Sequence, residues 1–176
     1  MRSPISARVG GVIAVVAVTT GVALAIPSDA AGSLTMLGAD VSTAQRSLDL
    51  GARYYSASGS QGNPLDILKG VGVNYVRLRI WNNPASGYNN LAKVLVQARA
   101  AKAKGLQVMI DFHYSDTWAD PGKQYKPAAW SSHGIGALQS DVYNYTLSVC
   151  NALKAQGTTP DNDPGSSVGL AYQFEY

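Results

Sequence analysis

Three apolar runs constrain this chain most: Thr35-Met36-Leu37-Gly38-Ala39-Asp40-Val41, Val73 to Ile80, and Leu106 to Phe112. Each has the length of a strand, and stretches of helical periodicity separate them. The first reads as a short buried strand ending at Asp40, and the second is rich in β-branched and aromatic residues. The third is nearly all apolar, as in strands covered on both faces by crossover helices. Between the first two, Asn63 can cap a helix that opens with Pro64, runs to Lys69 and is closed by Gly70 and Gly72. Asn90 can cap a second helix from Leu91 to Lys104, with Leu91, Val94, Leu95, Ala98 and Ala101 on one stripe and Gly105 at its end. A long loop from His113 to Gly134 leads to a third helix, Gly136 to Gln156, with Leu138, Val142, Tyr145, Val149 and Leu153 on one side. Strand and helix thus alternate three times, the pattern of an α/β fold with parallel strands.

A barrel and a doubly wound sheet both satisfy that pattern. No glycine-rich phosphate fingerprint follows any strand, which counts against the dinucleotide-binding sheet. Polar and aromatic residues instead gather where strands finish: Asp40, then Arg77, Arg79, Trp81 and Asn82, then His113 to Pro121. In a (β/α) barrel those ends build the active face. The barrel is favoured, although 176 residues are few for a closed one, which takes about 250.

Residues 1–31 have the parts of a secretory signal: a basic start at Arg2 and Arg8, an apolar run from Val9 to Ile26, and small residues at Ser28-Asp29-Ala30-Ala31. The apolar run is also about long enough for a membrane anchor. The small residues that follow it favour cleavage, and so an extracellular protein without stable membrane association. Removing Arg2, Arg8 and Asp29 leaves 12 basic and 10 acidic residues, a net charge of +2. So small a charge, with its lysines and arginines scattered singly, makes no case for nucleic acid. Cys150 is the sole cysteine, so no internal disulfide forms, and its setting suggests a buried small hydrophobe.

The richest stretch is Asp111-Phe112-His113-Tyr114-Ser115-Asp116-Thr117-Trp118-Ala119-Asp120-Pro121. An indole can lie against the apolar face of a pyranose, while carboxylates and an imidazole bond its hydroxyls. The same loop also admits a structural reading, with Asp116 and Asp120 capping turns and Trp118 packed inside. Arg77 and Arg79 alternate and so share one face of the second strand. A buried arginine there needs carboxylate partners and could hold a catalytic carboxylate ionised. At least one of the two is expected to form a salt bridge outside the site. The two histidines, His113 and His133, lie at no ligand-like spacing, so neither a metal nor a cofactor is expected. No nucleophile-elbow sequence supports a serine triad. A Schiff-base lyase or aldolase would need a lysine at a strand end, and none of Lys69, Lys93, Lys102, Lys104 and Lys154 is so placed.

Several segments together resemble glycoside hydrolase family 53, the arabinogalactan endo-β-1,4-galactanases. They are Leu37-Gly38-Ala39-Asp40-Val41-Ser42, Gly51-Ala52-Arg53-Tyr54-Tyr55, Asn74 to Pro84, the His113-to-Pro121 loop, Tyr143-Asn144-Tyr145-Thr146 and Val149-Cys150. The resemblance runs from about residue 34 to 161. It implies an eight-stranded barrel, of which this stretch supplies about the first three βα units. It also implies retaining, endo-acting hydrolysis of β-1,4-galactosidic bonds in galactan or arabinogalactan. A monomer is expected. Two glutamates would do this chemistry, the acid/base after Gly-Asn on the fourth strand and the nucleophile on the seventh. Arg77 or Arg79 would support the nucleophile. His113, Asp116 and Trp118 would form the third-strand part of the cleft, and Asp40 the end of the first strand.

The sequence departs from the family after Asp161. Residues 162–176 are turn-rich and do not resemble it, and the one glutamate, Glu175, follows Phe174 rather than Gly-Asn. A frameshift, a premature stop or a wrongly assembled gene would give such a tail. No catalytic residue is therefore assigned. The substrate-binding candidates are Asp40, Arg77, Arg79, His113, Asp116 and Trp118. The chain alone is expected to be inactive on galactan and poorly stable, with an open parallel edge. The competing reading is a secreted, non-catalytic galactan-binding protein.

Overall fold

A computed structural model describes residues 35–158. The signal expected at 1–31 and the tail at 162–176 lie outside the described residues. The elements in chain order are β1 (Gly38–Asp40), α1 (Ala44–Asp49), β2 (Tyr54–Tyr55), β3 (Gln61–Gly62), α2 (Pro64–Gly70), β4 (Tyr75–Ile80), α3 (Leu91–Ala103), β5 (Gln107–Phe112) and α4 (Ile135–Ala155). A 3-10 turn, Ala128–Trp130, interrupts the loop before α4.

The sheet has the order β1-β4-β5, all parallel. Asp40 pairs with Arg77, and Arg79 pairs with Asp111. Side chains of a strand alternate between faces, so each parity has its own environment. Val76, Leu78, Ile80, Val108, Ile110 and Phe112 form the core with Val94, Ala98 and Ala101 of α3 and Val149 and Leu153 of α4. Leu65 and Leu68 of α2 join the same cluster. Burying each of the larger side chains is worth roughly 1.5–3 kcal/mol. The helices α2, α3 and α4 therefore cover one face. A doubly wound sheet would place helices on both, so the fold is a partial (β/α)8 barrel, about its first three βα units. The opposite parity, Arg77, Arg79, Met109, Asp111 and His113, faces what would be the barrel interior.

The helix ends follow the expected chemistry. The Asn63 side chain accepts from the Leu65 N–H with Pro64 at the first helical position, and Asn90 accepts from the Lys93 N–H. Gly105 has φ +68, the left-handed conformation that stops α3 at low steric cost. Three expectations need correction. The first strand is short and largely exposed, with Met36 and Leu37 open to solvent, because among the described residues β1 has a neighbour only in β4. Along α4, Val149 and Leu153 are buried and Tyr145 packs on the core, whereas Leu138 and Val142 line an open apolar groove with Tyr114, Ile135 and Tyr143. Cys150 is only partly buried. The α1 helix and the β2–β3 hairpin add elements that the periodicity did not predict.

Candidate active site

The strands continue as a ladder past their formal ends. The His113 N–H donates to the Ile80 carbonyl at 3.0 Å, and the Asn82 N–H donates to the Ser115 carbonyl at 2.9 Å. These bonds hold the segments after β4 and β5 side by side, so side chains of the interior parity converge.

An ion-pair chain crosses that face. Arg77 reaches Asp40 at 2.9 Å through Nη1 and Asp111 at 2.5 Å through Nη2. His113 Nε2 lies 3.0 Å from the same Asp111 Oδ2. Asp111 is fully buried and His113 nearly so, which makes the shared carboxylate the pivot of the chain. Burial pushes the Asp40 carboxyl up, but hydrogen bonding to Ser42 and the charges of Arg79 and Arg77 outweigh it and hold the group below its ordinary value.

Beside this chain stands an aromatic platform. The Arg79 guanidinium, 2% exposed as a residue, lies 3.5 Å from the Trp118 ring centroid and 5.2 Å from that of Trp81. Trp81 meets Trp118 edge-on at 5.8 Å, and His113 meets Trp118 at 6.1 Å. Trp118 remains 51% exposed, so its indole is not packed inside. The Tyr145 hydroxyl of α4 supports the platform from behind, donating to the Trp81 carbonyl at 2.7 Å. Burial pushes that phenol well above its usual range.

Five of the six binding candidates, Asp40, Arg77, Arg79, His113 and Trp118, are thus brought together. Arg77 and Arg79 share a parity that turns both toward the cluster, Arg77 onto Asp40 and Asp111 and Arg79 onto the two indoles. Asp116 is placed differently. Its Oδ1 accepts from the Asn83 N–H and its Oδ2 from the Ala128 N–H, both at 2.8 Å, tying together the loops after β4 and β5. Asp120 accepts from the Gly122 N–H, as a turn cap does. His133 pairs instead with Asp141 on α4, at 2.6 Å. Among the described residues no group of three His, Cys, Asp or Glu side chains could hold a metal ion.

Asp111, Trp81, Ser42 and Asn89 join the cluster without having been binding candidates. Trp81 was noted at a strand end and Asp111 at the head of the richest stretch, and Asp111 falls on the same parity as Arg79 and His113, a signal that was available. The Ser42 hydroxyl accepts from the Arg79 N–H at 2.8 Å, and the Asn89 side-chain amide reaches the carbonyls of Ser42 and Arg79.

The family model described as Glycosyl hydrolase family 53 matches residues 36–163. The chain is 45% identical over 129 residues to "Probable arabinogalactan endo-beta-1,4-galactanase A" of Aspergillus fumigatus, covering 73% of this chain and 36% of that one. It is also 45% identical over 128 residues to "Arabinogalactan endo-beta-1,4-galactanase" of Thermothelomyces thermophilus, covering 73% and 38%. Among solved structures, a fungal β-1,4-galactanase superposes with a TM-score of 0.70 at 43% identity, over 73% of this chain and 39% of that one. The chain spans a little over a third of the length of the curated relatives it matches.

Proposed function

Because the chain belongs to glycosyl hydrolase family 53, we propose that its strand-end cluster is one wall of a site for β-1,4-linked galactan, in a protein of endo-galactanase type. The observation that carries this reading is the half-exposed Trp118 indole backed by Arg79, next to the Asp40–Arg77–Asp111–His113 chain on the same face. An indole held flat by a buried cation offers a rigid surface to the C–H face of a sugar, and the flanking carboxylate and guanidinium offer partners to its hydroxyls. Asp40, Arg77, Arg79, His113 and Trp118 are the residues proposed to face substrate, and Asp116 supports them by fixing two loops. The names carried by the relatives supply the substrate class.

Hydrolysis with retention needs two carboxyl groups about 5 Å apart, one as nucleophile and one as acid/base. Among the described residues, Asp40 and Asp111 are both engaged by Arg77, and Asp111 is fully buried. Neither is placed to serve as a free acid. That engagement favours a second reading, galactan binding by this face without hydrolysis. Electrophoresis in gels containing galactan tests the site: retarded migration that a cellulose-containing gel does not cause supports it, and unretarded migration overturns it. Reducing-sugar release in the same preparation would overturn the inactivity of the isolated chain. We also propose export with loss of the N-terminal segment, and N-terminal sequencing of the protein recovered from culture medium checks it.

A further inference from the structure

Asn89 is the sole non-glycine residue with positive φ among the described residues, at +63, and it is 4% exposed. Asparagine tolerates that conformation better than most residues, but holding it inside the fold still costs free energy that the surroundings must offset. The surroundings here are two strand ends. The Asn89 Nδ2 donates to the Ser42 carbonyl at 3.0 Å and to the Arg79 carbonyl at 3.3 Å, while its own carbonyl accepts from the Trp81 N–H at 2.8 Å. Ser42 lies just past β1, which is three residues long and whose ladder with β4 ends at Asp40 and Arg77. One amide group thus extends the β1–β4 seam beyond its last paired residues, where Asp40, Arg79 and Trp81 must stay in register.

We infer that Asn89 is a positioning residue that clamps the ends of β1 and β4 and so seats Arg79 against Trp118. This rests on the galactan-site reading only for its binding consequence; the seating of Arg79 is a separate observable. The strand ends carry the groups that define the cluster, and a seam free to splay by an ångström would misplace both ionic and aromatic partners.

Asn89→Asp keeps the shape and tolerates the same φ but offers no N–H to the two carbonyls, and it adds a buried carboxylate facing them, a cost that the glycine variant does not carry. Asn89→Gly takes the positive φ freely and also lacks the donor, so it decides the matter should the aspartate variant fail to fold. The full 176-residue chain and both variants are compared by circular dichroism, by acrylamide quenching of tryptophan fluorescence with Trp118→Phe identifying the Trp118 contribution, and by retardation in galactan gels. Below the melting temperature of each variant, Trp118 is expected to become about twofold more quenchable. Retention on galactan is expected to weaken about three- to tenfold, the ratio corresponding to a loss of roughly 0.7–1.4 kcal/mol, the scale of one hydrogen bond. A merely structural role would lower the melting temperature and leave quenching and retention of the folded variants unchanged, and that result overturns the inference. If the parent chain is not retarded at all, the galactan reading fails, and quenching alone decides the role of Asn89.

Discussion

Replacing Asp111 by asparagine keeps the shape of the side chain and removes its charge from a site with no solvent exposure. Two groups converge on its Oδ2, Arg77 Nη2 at 2.5 Å and His113 Nε2 at 3.0 Å. Removing one partner of a fully buried pair costs about 3–5 kcal/mol, because an uncompensated charge stays behind. Arg77 is 26% exposed at the side chain and keeps Asp40, so the charge left behind is partly compensated. The loss should fall to that of one charge-assisted hydrogen bond and part of another, about 2–3 kcal/mol. The Arg77→Met background should invert the sign. There Asp111 would be a buried carboxylate without its cation, and neutralising it relieves a desolvation cost. Urea unfolding of the four proteins in a double-mutant cycle reads this directly, with an expected coupling of about 2 kcal/mol or more. Equal costs of D111N with and without Arg77, within about 0.5 kcal/mol, would refute the reasoning and leave Asp111 a polar filler.

Two further outcomes follow from the same structure. Asn90→Ala removes the acceptor for the Lys93 N–H at the start of α3 and should cost about 1 kcal/mol, or roughly 3–5 °C in a thermal melt, with no change in galactan retention. Asp40 has a folded pKa below its unfolded one, so the stability it contributes is complete above about pH 4 and is lost as pH falls through the folded value. The difference in urea midpoint between the parent and Asp40→Asn should therefore narrow as pH is lowered from about 5 to about 2.5; a constant difference would remove the ionised carboxylate from the account.

The strands were legible because one parity of β4 and β5 packs on helices while the other holds long side chains, which leaves few short polar residues to break the runs. The helices of the crossovers were legible because Asn63 and Asn90 mark their starts and a glycine with positive φ follows α2 and α3. Other elements left no signal. The α1 segment Ala44–Asp49 buries none of its residues, and β2 and β3 are two residues each, too short for any period to show. The N-terminal half of α4 matched the apolar pattern but stays open, since period reports which residues share a face and says nothing of what covers it. At the site, strand ends and alternation pointed to Asp40, Arg77, Arg79, His113 and Trp118, and the fold brings these five together. Asp116 had two readings, a cleft residue from the family resemblance and a turn cap from its own chemistry, and tertiary geometry places its oxygens on the backbone of two loops. Asp111 stood at the head of the richest stretch but was not made a candidate, because neighbours of the opposite parity, Ile110 and Phe112, make its strand read as apolar. Asn89 sits in an Asn-Asn pair whose second member gave the helix cap, and nothing local announced that the first would enter the left-handed region and the core.

Fluorescence titration of the 176-residue chain with β-1,4-galacto-oligosaccharide bears most directly on the claim that these strand ends form a sugar-binding wall. Trp118 is half-exposed whereas Trp81 and Trp130 are buried, so a ring seated on the platform should change the emission of one tryptophan. A saturable change that Trp118→Phe abolishes, while the urea midpoint shifts by no more than a surface substitution would, is the predicted result. No change in the parent, or the same change with Trp118 replaced, would contradict it.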